Sequence, residues 1–302
     1  DGQFLDEGPV RVMDWTYPGN SSRVLAAAGE YLVIGQDFFG YDYLARRVGF
    51  DGQPIGSVYK PIGPDIGSNG AQYLATWTSG QYQLRCSLMT AGGVLANPAG
   101  AQIATSIYVP EEVAISHDGT NWFVSWETNQ IRVARVNGAG QVLDPGGVQI
   151  PVGTPPTQEN YGLMVVGNAE GGALTTYFDY RVSSDANVFC IPLSAAGVPG
   201  SETILSTGTP NQRTPSFAQG PAGQVAMAFI SETTAVDRIL VYLLTPDGQP
   251  TAPEPIVVAQ GPGLAKPGIA WNGSTYMIAW NDSTVRARRM NPDGTFVDAA
   301  PI

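Results

Sequence analysis

Charge is what this chain has least of. Asp, Glu, Lys and Arg make up 14% of its 302 residues, against about 25% in an ordinary globular protein. Only Lys60 and Lys266 are lysines, and the net charge is −11. A surface of that sign repels phosphate backbones and anionic headgroups, so nucleic acid is excluded as a partner class. No apolar run approaches the roughly 20 residues of a membrane-crossing helix, so no membrane span is expected. Histidine is equally scarce. His117 is the single one, which removes histidine-rich metal centres and leaves a Ser-His-Asp nucleophile only if built on that residue. Two cysteines, Cys86 and Cys190, are too few for a disulfide framework. The chain opens at Asp1 without an initiator Met; the expectation is a removed leader or a piece of a longer protein.

Glycine and proline, in contrast, are abundant (37 and 24), while hydrophobic residues hold at 43%. That combination describes many turns between apolar strands rather than disorder. Residues 111–152 show the pattern most cleanly. Residues 112–117 alternate, Asp118-Gly119 turns the chain, Trp122–Trp126 returns, and Glu127-Thr128-Asn129 turns it again. Ile131–Val136 follows, then Gly138-Ala139-Gly140, then a fourth strand over 142–152. Short strands separated by Gly, Asn and Asp turns read as one antiparallel meander.

Five looser copies of this unit fill the remaining sequence. The second strands begin at Tyr31, Tyr73, Trp122, Ala173, Val225 and Tyr276, at spacings of 42, 49, 51, 52 and 51 residues. A period near 50 with four strands per unit is that of a β-propeller blade. The expected fold is therefore all-β, a six-bladed β-propeller of four-stranded antiparallel blades. We expect one domain over 1–302, with an outer strand and entry loop over 1–22. The blades are placed near 23–63, 64–110, 111–157, 158–208, 209–263 and 264–302. Trp77, Trp126, Tyr177, Phe229 and Trp280 recur at the fifth position of the second strand and are assigned to the core. Cys86 and Cys190 fall at one repeat position two units apart, too far for a bridge, and are read as buried free thiols. Residues 1–10 align without gaps on 293–302, so six blades come with seven outer strands. One copy is expected to become a fifth strand, to pair with a neighbouring molecule so that the chain self-associates, or to be the remnant of a preceding blade.

The run Trp271-Asn-Gly-Ser-Thr-Tyr-Met-Ile-Ala-Trp-Asn-Asp282, followed by Val285–Gly294 and echoed by Val142-Leu143-Asp144-Pro145-Gly146-Gly147, resembles the repeats of secreted or surface-anchored bacterial β-propeller proteins. The resemblance covers essentially the whole chain. It implies the fold and an extracellular or cell-surface setting, and it supplies no catalytic residues. Ser116-His117-Asp118-Gly119-Thr120-Asn121-Trp122 resembles the Asp-box of sialidase propellers, yet it is one residue short and occurs once. We read it as a turn in which Asp118 bonds local backbone, with His117 on the surface.

Connections from strand two to strand three, and from strand four to the next blade, share one face of a propeller. Aromatic residues gather in them. The densest cluster is Phe38, Phe39, Tyr41 and Tyr43, joined by Tyr180 and Arg181 in the fourth unit. Rings on a weakly charged surface suit the apolar C–H faces of sugars; packed over the mouth of the ring, the same residues would form a lid. The expectation is a non-enzymatic recognition or adhesion module for a glycan or surface protein. A glycoside hydrolase or lyase using loop carboxylates, and a filament subunit joined by strand addition, are the alternatives. No cofactor is expected. Asp37, Asp179 and Asp282, each following a second strand, offer the oxygen ligands calcium takes but serve equally as turn formers.

Overall fold

The computed structural model describes residues 22–27, 29–36, 43–59, 65–80, 82–105, 111–152, 161–168, 170–179, 187–205, 211–232 and 236–302. Six antiparallel sheets follow one another along the chain, the architecture of a six-bladed β-propeller. The first holds β1 (Ser22–Ala27), β2 (Glu30–Gln36), β3 (Tyr43–Gly49) and β4 (Pro54–Tyr59). The second holds β5 (Asp65–Ser68), β6 (Tyr73–Ser79), β7 (Gln83–Met89) and β8 (Ala101–Thr105). The third is β9 (Glu111–His117), β10 (Asn121–Glu127), β11 (Ile131–Asn137) and β12 (Val148–Gln149). Next come β13 (Tyr161–Gly167), β14 (Ala173–Asp179), β15 (Asn187–Leu193) and β16 (Thr203–Ile204). The fifth sheet is β17 (Asn211–Gln219), β18 (Val225–Glu232), β19 (Asp237–Leu244) and β20 (Ile256–Gly261). The last has β21 (Ala265–Trp271), β22 (Tyr276–Asn281) and β23 (Val285–Met290). Among the described residues the only helix is the 3₁₀ turn Pro221–Gly223.

The fourth strands depart from the expected meander. Instead of one strand over 142–152, a single bridge joins Val142 to Val136, and pairing resumes only at β12. Pro145 brings no N–H, and Gly146 and Gly147 take positive φ (83° and 70°), so the chain leaves the ladder between them. In the sixth blade this outer piece shrinks to a bridge from Phe296 to Met290 and a reciprocal pair of hydrogen bonds between Ala287 and Ile302.

Contacts group the chain into two compact units, Asp1–Pro110 with Ala134–Gly147, and Glu111–Val133 with Val148–Ile302. In the second unit the blades stack core against core. Phe229 from β18 joins Leu174 and Cys190 of the preceding blade, while Ala226 and Ala228 on the other side of β18 meet Tyr276 and Ile278 of the next. Side chains alternate across a strand, so bulk on one side and small residues on the other let neighbouring blades interdigitate. The expected core series is there: Trp126, Tyr177, Phe229 and Trp280 are buried. Trp77 is half-buried, its ring lying where a Cβ on Gly100 would fall.

One turn recurs six times. In every blade the last residue of strand three, or the one after it, receives a hydrogen bond from the N–H three residues on and donates to the carbonyl four residues on; Gly49 with Gly52 and Gln53, and Thr245 with Gly248 and Gln249, are examples. The third turn residue is always glycine, with φ between 74° and 87°. Such a left-handed residue closes a hairpin with its bulge. Packing adds a second reason for glycine. A Cβ on Gly93 would lie 2.5 Å from the Tyr59 ring of the preceding blade, and one on Gly248 would lie 2.9 Å from Cys190 Sγ.

Two substitutions separate these causes. Gly273 has φ +96° and open space around its missing Cβ, so Gly273→Ala should cost only backbone strain, about 1 kcal/mol. Gly248→Ala should cost about 1–3 kcal/mol more, because the added methyl overpacks a blade interface. Urea denaturation of both variants measures the difference, and equal losses would remove the packing cause.

Candidate functional site

The side of the blades carrying the one-to-two and three-to-four hairpins is stitched by side chains onto backbone. Asp118 is 2% exposed. Its Oδ1 accepts from the N–H groups of Thr120 (2.8 Å) and Asn121 (2.7 Å), and its Oδ2 accepts from the N–H of Gly172 in the next blade (2.9 Å). Asn69, Asn168 and Asn272 hold the same hairpin in their own blades. The Asp-box-like stretch is therefore a turn of the repeat with one added link between blades. His117 is half-buried rather than a surface residue. Paired across the hairpin with Trp122, it shares that residue's face of the sheet, and the ring centroids are 4.8 Å apart. Its Nδ1 accepts from the Gly119 N–H (2.9 Å).

The opposite side begins at the inner strands, and there the ladder bulges. Register shifts interrupt the pairing near Glu112, Gly162, Arg213 and Lys266. Glu112, Gly162 and Lys266 hold positive φ of 40°, 77° and 50°. Bulges concentrate at rims and re-aim side chains. At this rim Glu112 turns its Oε2 to the N–H of Leu163 in the next blade (2.8 Å), one of the donors the bulge takes out of the ladder. Arg85 at the start of β7 donates to Ser79 Oγ, Gln83 Oε1 and the carbonyls of Ala99 and Gly100. Asp237 accepts from the Gly263 N–H (3.0 Å).

The sequence-derived candidate binding residues fall in or beside the two-to-three connections of the first and fourth blades. Phe38, Phe39, Tyr41, Tyr180 and Arg181 lie outside the described residues. Tyr43 opens β3, its backbone paired with Gln36. Of the calcium candidates, Asp37 lies outside the described residues, and Asp179 ends β14 paired with Asn187. Asp282 is committed to its own turn: it accepts from Thr284 and pairs with Arg286 at 2.5 Å. Among the described residues no group of three His, Cys, Asp or Glu side chains gathers as a metal site, and no helix is long and apolar enough to cross a membrane.

Cys86 and Cys190 are free and buried. Burial pushes both thiols up to about 12, so neither is a nucleophile at neutral pH. Tyr59, Tyr73 and Tyr276 are pushed up to about 12, chiefly by burial. Two features were not read from the sequence. Tyr31 and Phe50 of the first blade stay exposed, with ring centroids 4.8 Å apart. A cavity of about 350 Å³ opens at the hairpin end of the second blade, lined by Ala71, Tyr73, Leu88, Met89, Ala91 and Leu95. Both depend on which side of a blade faces a neighbour, which periodicity alone does not fix.

No protein-family model matches the chain, and no curated protein does either. Solved structures do. A prolyl endopeptidase structure is similar with a TM-score of 0.51 at 15% identity over 95% of this chain, which spans 42% of the length of that one. Hsv2 from Kluyveromyces lactis is similar with a TM-score of 0.51 at 13% identity, over 92% of this chain and 84% of that chain. At such identities the likeness shows the propeller fold and nothing of the chemistry.

Burial lowers the His117 pKa, against a smaller opposing pull from the Asp118 charge. A base depressed in the folded state stabilises the protein above its unfolded pKa, near 6.5, and that stability is lost as pH falls through the folded value. The urea midpoint should therefore drop between pH 7 and pH 5, and His117→Gln should flatten the drop. An unchanged slope in the variant would show that His117 does not carry it.

Proposed function

We propose that this chain is a non-enzymatic recognition module, secreted or displayed at a cell surface, that binds a glycan or a surface protein through the side opposite the repeated hairpins. One observation carries the reading. The six three-to-four hairpins are the same turn with the same hydrogen bonds, while the two-to-three connections hold three residues in the second, third and sixth blades and lengthen to six in the first and seven in the fourth. That of the third blade is only the residues between β10 and β11; those of the first and fourth span 37–42 and 180–186 and bring Phe38, Phe39, Tyr41, Tyr180 and Arg181, with Tyr43 beside them.

Where the same residues must close every blade, sequence is spent on the fold. Where the copies diverge, side chains are free to be chosen for a ligand, and connections on a rigid scaffold are where binding residues concentrate. Aromatic rings supply flat apolar area at low entropy cost. The acidic balance, −11 overall, favours a neutral or basic ligand over a sulfated or sialylated one. Calcium, if it takes part, would join through the oxygen-bearing turns after the second strands.

A glycan array and a pull-down from cell-surface extracts, run with the whole chain and with Phe39→Ala, test this. Loss of one stacking ring is worth about 1 kcal/mol, so the variant should bind about five-fold more weakly at an unchanged melting temperature. Absence of any ligand in both screens, or equal binding by the variant, would refute the reading.

A further inference from the structure

Asparagine followed by glycine occurs three times in this chain, at Asn69-Gly70, Asn137-Gly138 and Asn272-Gly273, each time in a turn of the hairpin side. Such a pair carries its own reactivity. Glycine puts no side chain beside its nitrogen, so that nitrogen can reach the carboxamide carbon of the asparagine before it. Two conditions then govern the reaction. The glycine nitrogen must be free to attack, and the carboxamide nitrogen must be free to leave.

All three turns hold the carboxamide oxygen alike. Asn69 Oδ1 accepts from the N–H groups of Ala71 (3.0 Å) and Gln72 (2.7 Å). Asn137 Oδ1 accepts from Ala139 (3.0 Å) and Gln141 (2.9 Å), and Asn272 Oδ1 from Ser274 (2.9 Å) and Thr275 (2.8 Å). Donors at this oxygen stabilise the negative charge it gains when a nucleophile adds to Cγ. The nitrogens are held differently. In the second blade the Gly70 N–H donates to Ser68 Oγ (3.1 Å). In the third, Asn137 Nδ2 donates to Gln141 Oε1 (2.9 Å). In the sixth, the residue at the place of Ser68 is Trp271, whose ring offers no acceptor. Among the described residues neither the Gly273 N–H nor Asn272 Nδ2 makes a hydrogen bond. Asn272 is exposed, whereas Asn69 and Asn137 are half-buried. Nothing stands within 4 Å of the place of a Cβ on Gly273, so this turn has room to close on itself.

We propose that Asn272 is a self-modification site that deamidates through a cyclic imide, while the bonds at Gly70 and Asn137 protect the other two pairs. The Gly273 nitrogen gives its proton to solvent and attacks Asn272 Cγ. A C–N bond forms, the Cγ–Nδ2 bond breaks, and ammonia leaves behind a five-membered succinimide. Water then opens either C–N bond of that ring. One opening leaves aspartate in an ordinary chain; the other routes the backbone through the side chain as isoaspartate. Aspartate suits the turn, since Asp118 of the third blade accepts from the same two N–H groups, two and three residues on. Isoaspartate lengthens the backbone by one atom and breaks the 3.2 Å bond from the Asn272 N–H to the Thr275 carbonyl that closes the β21–β22 hairpin. Either product adds one negative charge to a chain already at −11.

Peptide mapping by mass spectrometry, on the whole chain held in warm, mildly alkaline buffer, follows all three sites at once. In the folded chain Asn272 should lose its amide about ten-fold faster than Asn69 or Asn137, with aspartate and isoaspartate both among the products. In guanidinium chloride the turns are gone and glycine still follows each asparagine, so the three rates should converge. Ser68→Ala takes the acceptor from the Gly70 N–H; it should speed the loss at Asn69 about five-fold and leave Asn272 unchanged. Equal rates in the folded chain, an order that persists in denaturant, or an Asn69 rate indifferent to Ser68→Ala would overturn the proposal.

Discussion

Everything in the second unit depends on how closely the inner strand of one blade approaches the next. At Gly167 the approach leaves no room for a side chain, since a Cβ would overlap the His117 carbonyl. The same contact is closed by hydrogen bonds. The Gly167 N–H donates to Ser116 Oγ, the Gly172 N–H to Asp118 Oδ2, and the Leu163 N–H to Glu112. Two blades further on, the Ile269 N–H donates to Ser216 Oγ in the same manner. Donors of the inner strands and hairpins that a blade's own ladder leaves unused are thereby satisfied from the neighbouring blade. An unmade bond at any of them would cost about 1–3 kcal/mol.

That constraint divides the two sides of the blades. The three-to-four hairpins of the second, third, fifth and sixth blades bring their turn glycine against the preceding blade, and all six turns share one geometry and one glycine. Clamps such as Arg135 with Asp144 reinforce the outer strands. Burial raises the Asp144 pKa, but the Arg135 hydrogen bonds outweigh it and leave the carboxyl below its ordinary value. On the other side β9, β13, β17 and β21 begin in bulges, and the two-to-three connections there range from three to seven residues. The divergence in length and composition there is what a scaffold permits, and it is where ligand contacts can be placed without disturbing the packing.

How much of this was legible in the sequence follows from the same division. The number of blades, their order and the aromatic core were readable, because spacing near 50 residues and alternation within each strand are written locally. Asp118 as a turn former was readable from Asp-Gly alone, but its bond to Gly172 was not, since the two residues are 54 apart and meet only through blade stacking. His117 was misplaced on the surface because its hairpin position says nothing of the Trp122 ring across from it. The shortened fourth strands were hidden for a similar reason: Val142 to Val152 alternates well enough, and only the geometry at Pro145, Gly146 and Gly147 breaks it. The proposal that Phe38, Phe39, Tyr41, Tyr180 and Arg181 bind a ligand rests on composition and connectivity, not on contacts.

The central claim is that the fold is carried by the hairpin side and recognition by the other. It is tested most directly by replacing residues 37–42 with the three residues 128–130 that turn the third blade. The account predicts a chain that folds cooperatively with its melting temperature within a few degrees of the parent and has lost its ligand. A graft that unfolds the protein, or one that binds as the parent does, would contradict it.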